Sequence, residues 1–175
     1  MKGSSFVAAL AAALITAACG ERPSPTGPSP AQPLQQGTSA AAQSLPFKGS
    51  LEGTQTLTPL QPPFGAVNGT ADGTATHLGR FTVVFPHTVN FATRSGVGTY
   101  TFTAADGDTL TAAFTGQAQQ GAVVSIEEHA TITGGTGRFE GATGAFVVQR
   151  RFDQATGWTG GSFEGTVSSV GAGSR

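Results

Sequence analysis

The sequence predicts an all-β domain, a small antiparallel barrel of about eight strands, and three observations carry that prediction. From Phe47 onward, short runs rich in Thr, Val, Phe and Gly alternate in hydropathy with period two, as strands with one buried face do. Turn residues break these runs at the spacing of a barrel or sandwich. Glycines within the runs permit strong bending and coiling, which suits a closed barrel better than a flat sandwich.

Strands are expected near 47–57, 75–85, 87–93, 98–105, 108–117, 122–133, 144–152 and 161–169. Asp106-Gly107, lying between two alternating runs, is the strongest hairpin signal and is expected to form a type I′ turn. Pro59, Pro62 and Pro63, followed by Gly65, Asn68-Gly69 and Asp72-Gly73, read as one long loop. Strand parity sorts the faces. Phe81, Val83 and Phe85 share one face, as do Tyr100 and Phe102, then Leu110, Ala112 and Phe114, then Phe163, Gly165 and Val167. Most of the twelve Phe are therefore assigned to the core, with Thr on the solvent side.

The start of the chain reads as a processing signal. Lys2 is followed by the apolar run Phe6 to Ile15 and by the small residues Thr16-Ala17-Ala18 before Cys19. The run is too short for a membrane-spanning helix, which needs about 20 apolar residues. Ala17-Ala18-Cys19 resembles the lipobox of bacterial lipoproteins, with Thr16 where Leu is usual. That resemblance implies cleavage after residue 18, lipidation of Cys19 and attachment to the lipid bilayer. Gly20, in place of Asp, implies an outer-membrane destination, periplasmic or surface facing. Cys19 is the only cysteine, so the mature domain has no disulfide. Residues 19–46 hold six prolines and no aromatic residue. Such a segment cannot offset its conformational entropy by burial, and it reads as a disordered tether of about 3 Å per residue. The organisation expected is a leader over 1–18, lipidated Cys19 and tether over 19–46, barrel over 47–170 and a disordered tail over 171–175.

Ile132-Thr133-Gly134-Gly135-Thr136-Gly137-Arg138-Phe139-Glu140-Gly141-Ala142-Thr143-Gly144 looks like a signature of the allene oxide cyclase and dirigent barrels. There a strand runs into a Gly-Gly-Ser/Thr-Gly turn, an aromatic residue follows, and a glycine-bearing strand comes next. The runs Ala75–Phe81 and Ala105–Leu110 resemble exported bacterial proteins that share this organisation. The resemblance covers roughly 70–169 and implies an eight-stranded antiparallel barrel around an apolar cavity. It also implies a homo-oligomer and the steering of reactive hydrophobic intermediates by shape. On the residues themselves, Gly134, Gly135 and Gly137 would supply positive φ for a sharp reversal, with Phe139 plugging the barrel end.

Nine basic and ten acidic residues make no basic stripe, and among Lys and Arg only Arg150-Arg151 are adjacent, so no nucleic-acid footprint is present. The sequence has no dinucleotide fingerprint, P-loop, nucleophile elbow or zinc-protease motif, and no cofactor is implied. His77, His87 and His129 are too scattered for a metal cluster, and Asp106 and Asp108 read as a solvated turn rather than a calcium site.

One pattern points to a site. Glu128 is in register with the apolar Val124, Ile126, Ala130 and Ile132, and Arg150 with Phe146, Val148 and Phe152. Both side chains are thus expected inside the barrel, either as a polar anchor for a mostly apolar ligand or as a structural ion pair. His77, in register with Phe81, Val83 and Phe85, is expected to line the same cavity or to close a strand end. Tyr100 offers a phenol tip to a ligand or packs in the core. Glu127 and His129 face solvent. The expected function is the binding of a small hydrophobic ligand or envelope component. The alternatives are a cyclase or isomerase of the allene oxide cyclase type, with Glu128 or His77 moving a proton, and a structural or adhesive surface domain with a filled interior.

Overall fold

The computed structural model describes residues 43–168. The leader, Cys19, most of the tether and the tail lie outside the described residues. Nine strands run through them: β1 (Ser44–Pro59), β2 (Phe64–Ala75), β3 (Gly79–Val84), β4 (His87–Asn90), β5 (Ser95–Ala104), β6 (Thr109–Gln119), β7 (Val124–Gly135), β8 (Gly144–Phe152) and β9 (Trp158–Ser168). Every pairing is antiparallel, and β1 pairs with both β2 and β9, so the sheet closes on itself. β3 and β4 each lie between β2 and β5, on successive stretches of both. They form one stave interrupted at Phe85-Pro86, where proline removes a ladder donor. The molecule is an eight-staved antiparallel barrel, as the alternation predicted.

Two expectations about the staves need correction. The long loop assigned after Pro59 is largely β2. Its Asn68-Gly69 and Asp72-Gly73 pairs imitate turns, but both glycines sit at strand positions beneath aromatic rings. A Cβ on Gly69 would fall 2.0 Å from the Phe85 ring, and one on Gly73 would fall 2.6 Å from the Phe81 ring. The runs 75–85 and 87–93, read as two staves, are parts of one. The Asp106-Gly107 hairpin exists but is not type I′, because only Gly107 has positive φ. The Gly107 N–H donates to the Ala104 carbonyl and the Ala104 N–H to that of Asp108, the pattern of a turn closed by a glycine bulge.

At the base of the barrel lie Ser44, the β2–β3, β5–β6 and β7–β8 connections, and Ser168. At the opposite end, the mouth, lie the connections 60–63, 91–94, 120–123 and 153–157. The base half is filled. Phe47, Phe81, Phe102, Phe146 and Phe163 are buried, with ring centroids 5.0–6.2 Å apart in mostly edge-to-face and tilted pairs. Phe139, in a 3-10 turn (Gly137–Phe139), is buried there too. Gly134 and Gly137 have φ of 138° and 58°. Gly135 does not share that conformation; it is needed because a Cβ would fall 2.1 Å from the Thr109 carbonyl oxygen. Beside this turn the Arg138 guanidinium pairs with Asp106 and Asp108, so the two aspartates hold a loop in place.

Candidate functional site

Halfway along the barrel the inward-facing residues change from apolar to polar. Glu128 on β7 and Arg150 on β8 both point inward and are 2% exposed. Arg150 Nε donates to Glu128 Oε2 at 2.9 Å and Nη2 to Oε1 at 2.7 Å, a bidentate pair. Nη1 donates to Gln55 Oε1 on β1 at 2.7 Å and to Thr159 Oγ1 on β9 at 3.1 Å. The Thr159 hydroxyl in turn donates to the Arg151 carbonyl at 2.9 Å. The Tyr100 hydroxyl on β5 donates to Glu128 Oε2. The Arg150 guanidinium carbon lies 5.1 Å from the centre of the Phe85 ring.

Most of the network's polar groups are paired. Four of the five guanidinium donors are used, both carboxylate oxygens accept, and every buried side-chain nitrogen or oxygen among the described residues has a partner. Burial works to lower the Arg150 pKa, but the hydrogen bonds and charge of Glu128 outweigh it and raise it overall. Burial, and then the Glu128 charge, push the Tyr100 phenol well above its ordinary value. Tyr100 is therefore a neutral donor, and Arg150 a permanent cation.

Above this floor the barrel opens. β5 carries Ala104, Phe102 and Tyr100 at inward positions of the base half, then Gly98 and Gly96 toward the mouth. β6 likewise passes from Leu110, Ala112 and Phe114 to Gly116 and Ala118. Losing side chains at one strand parity leaves a cavity of about 240 Å³. Its walls are mostly apolar, from Leu57, Val67, Val89, Phe91, Ile126 and Phe152, with His87, Gln55, Glu128 and Arg150 lower down and Asn90, Arg94, Gln117, Gln120 and Gln154 also lining it. Two of the glycines also make room for site residues. A Cβ on Gly98 would fall 2.3 Å from His87 Cβ, and one on Gly116 would fall 2.7 Å from Glu128 Cγ.

His87 is half-buried on β4. Its ring stacks on Phe85 at 6.2 Å and meets Phe114 edge-on at 5.6 Å. Nδ1 lies 2.9 Å from the Phe85 carbonyl oxygen, and a carbonyl only accepts, so Nδ1 carries the proton. Desolvation lowers the His87 pKa against the opposing hydrogen bond to Phe85.

The structure thus brings Glu128, Arg150 and Tyr100 together, and it removes His77 from the group. His77 occupies the exposed β2–β3 turn at φ 66°, and Leu78 beside it is buried instead. Parity counted back from Phe81 fails there because the strand starts only at Gly79. Sequence reasoning did not pick out His87, Gln55 or Thr159. His87 keeps the parity of Phe81, Val83 and Phe85 across Pro86, and Gln55 that of Phe47 and Leu51, so the signal was present. Glu127 and His129 face outward and bond to each other at 3.0 Å. Trp158 lies on the outer face, its indole N–H 3.0 Å from Glu52. A wider groove of about 1690 Å³ runs along that face past Asp72, Arg80, Arg151 and Trp158, but it is open and outside the barrel. Among the described residues no three His, Cys, Asp or Glu side chains are grouped to hold a metal ion.

No family model matches the chain, and no curated protein does either. Among solved structures, a pterocarpan synthase dirigent protein superposes with a TM-score of 0.56 at 14% identity, over 74% of this chain and 90% of that one. At that identity the likeness shows the fold: a dirigent-type barrel.

Proposed function

We propose that the chain is an exported lipoprotein, anchored through Cys19, whose barrel holds a small, mostly apolar molecule in its mouth. The observation that carries the binding half is the cavity of about 240 Å³ with mostly apolar walls above a buried, charged and hydrogen-bonded floor. Concave apolar pockets with a few fixed polar groups are the usual form of small-ligand sites. A cavity of this size suits a compact apolar group. The lipobox-like Ala17-Ala18-Cys19 supports the anchoring half.

Native mass spectrometry of the full-length protein, purified without denaturation from its own cells, tests the reading. A stoichiometric small-molecule adduct is expected, and it should vanish in a cavity-filling Val89→Trp variant that retains the β-sheet circular dichroism signal. An adduct that persists in Val89→Trp would place the ligand elsewhere. A bare protein mass, under conditions that preserve a control lipocalin complex, would favour a structural domain. For the anchor, incorporation of labelled palmitate should be lost in Cys19→Ala.

A further inference from the structure

We infer that the ligand of the mouth cavity is a neutral molecule bearing a hydroxyl group, which donates to His87 Nε2. The inference rests on the binding reading above and specifies its chemistry. What the floor still offers is mostly donors, the Gln55 amide nitrogen and one Arg150 N–H, while its acceptors are engaged. Glu128 accepts from Arg150 and Tyr100 on both oxygens, Tyr100 has spent its proton, and Gln55 Oε1 and Thr159 Oγ1 are engaged by Arg150. His87 differs. With its proton on Nδ1 facing the Phe85 carbonyl, Nε2 is a lone-pair acceptor, and His87 lines the cavity. Every buried side-chain nitrogen has a partner, so Nε2, which has none among the described residues, is open to the cavity.

An acceptor in an apolar cavity selects a donor. A ligand that fills the space without one leaves Nε2 stripped of water and unpaired, the costly side of hydrogen-bond exchange. A carboxylate at this depth would set negative charge against that lone pair, where the Arg150 charge is already matched by Glu128 and the exposed Arg94 belongs to the mouth connection. The ring resists protonation because burial and the neighbouring Arg150 outweigh the opposing hydrogen bond to Phe85 and charge of Glu128. A hydroxyl suits the site further because it also accepts, and the Gln55 amide nitrogen has no partner among the described residues. Ring stacking on Phe85 and the contact with Phe114 hold the imidazole in place before any ligand arrives.

Calorimetric titration of the full-length protein at pH 7.5 with cyclohexanol, methoxycyclohexane and cyclohexanecarboxylate tests this. Cyclohexanol should bind about tenfold more tightly than the ether, the effect of one buried acceptor left unpaired, and the carboxylate should bind most weakly. In His87→Phe the alcohol and ether should bind alike, while His87→Gln, which keeps a side-chain acceptor, should retain part of the preference. Equal affinities in the wild type, tighter carboxylate binding, or a preference that survives His87→Phe would overturn the role of His87 and leave the cavity reading standing. If none of the three binds, both fall. Because the wild-type ratio decides by itself, the test does not depend on the folding of a variant.

Discussion

The two halves of this barrel are built from the same staves and do opposite things. On β5, Phe102 and Tyr100 fill the base half, and two and four residues nearer the mouth the same inward positions are Gly98 and Gly96. On β6, Leu110 and Phe114 give way to Gly116. The β5–β6 ladder runs unbroken from base to mouth; only the side-chain volume changes. The lesson is that a cavity in a small barrel is written in the spacing of its glycines. The Glu128–Arg150 layer marks the boundary, since a hydrogen-bonded ion pair tolerates a dry core below, and the donors left unpaired face a ligand or water above.

That contrast can be broken in several ways. Phe102→Ala in the base should cost about 3–5 kcal/mol in urea unfolding, whereas Val89→Ala in the cavity wall should cost about 1 kcal/mol or less. Comparable losses would mean the mouth is as tightly packed as the base. Arg150→Ala should also cost about 3–5 kcal/mol, because it leaves Glu128 buried without its partner. The paired replacement Arg150→Met with Glu128→Gln should recover most of that loss, and failure to recover would mean the network does more than satisfy itself.

Two glycines on one strand give a sharper comparison. Gly98→Ala would push a methyl to 2.3 Å from His87 Cβ and 2.5 Å from the Pro86 carbonyl oxygen, and overpacking of this kind costs about 1–3 kcal/mol. A Cβ on Gly96 finds its nearest neighbour at 3.7 Å, so Gly96→Ala should leave stability within about 0.5 kcal/mol. Thermal melts of the two variants should separate clearly, and similar melts would show that the cavity beside β5 is closed.

A smaller effect follows from pH. The His87 pKa is lowered in the fold, chiefly by burial, so the unfolded chain takes up this proton first as pH falls. The stability it contributes is fully present above the unfolded value of about 6.5 and is lost as pH falls through the lower folded value. Between pH 7.5 and 5.5 the wild-type melting temperature should decline more than that of His87→Gln; parallel curves would contradict a buried neutral imidazole. The smallest effect belongs to the base rim. Arg138→Ala removes partly exposed ion pairs with Asp106 and Asp108 and should cost about 1 kcal/mol or less.

The buried face and its polar layer were legible from parity, and the closed barrel from strand spacing, strand glycines and the family resemblance. Alternation at Tyr100–Phe102, Val124–Ile132 and Phe146–Phe152 assigned the buried face, and it placed Glu128 and Arg150 on it. What stayed hidden has a common cause. β2 was read as a loop because its inward positions are Gly65, Val67, Gly69, Ala71 and Gly73, small so that Phe85 and Phe81 from the neighbouring stave can lie over them. A glycine that makes room for a partner's ring is indistinguishable in one sequence from a glycine that makes a turn. His77 and His87 were confused in the same region, since the true strand starts after the turn at His77 and its parity continues past Pro86. The cavity itself depends on which glycines face which side chains across the barrel, a relation set by register.

Methyl-resolved NMR of the isotopically labelled full-length protein, titrated with cyclohexanol, tests the division of the barrel most directly. Shifts confined to Leu57, Val67, Val89, Val124 and Ile126, with Leu110, Ile132 and Val167 unmoved, are the predicted result. Shifts spread through the base methyls, or absent throughout at saturating alcohol, would contradict a filled base beneath a ligand-accepting mouth.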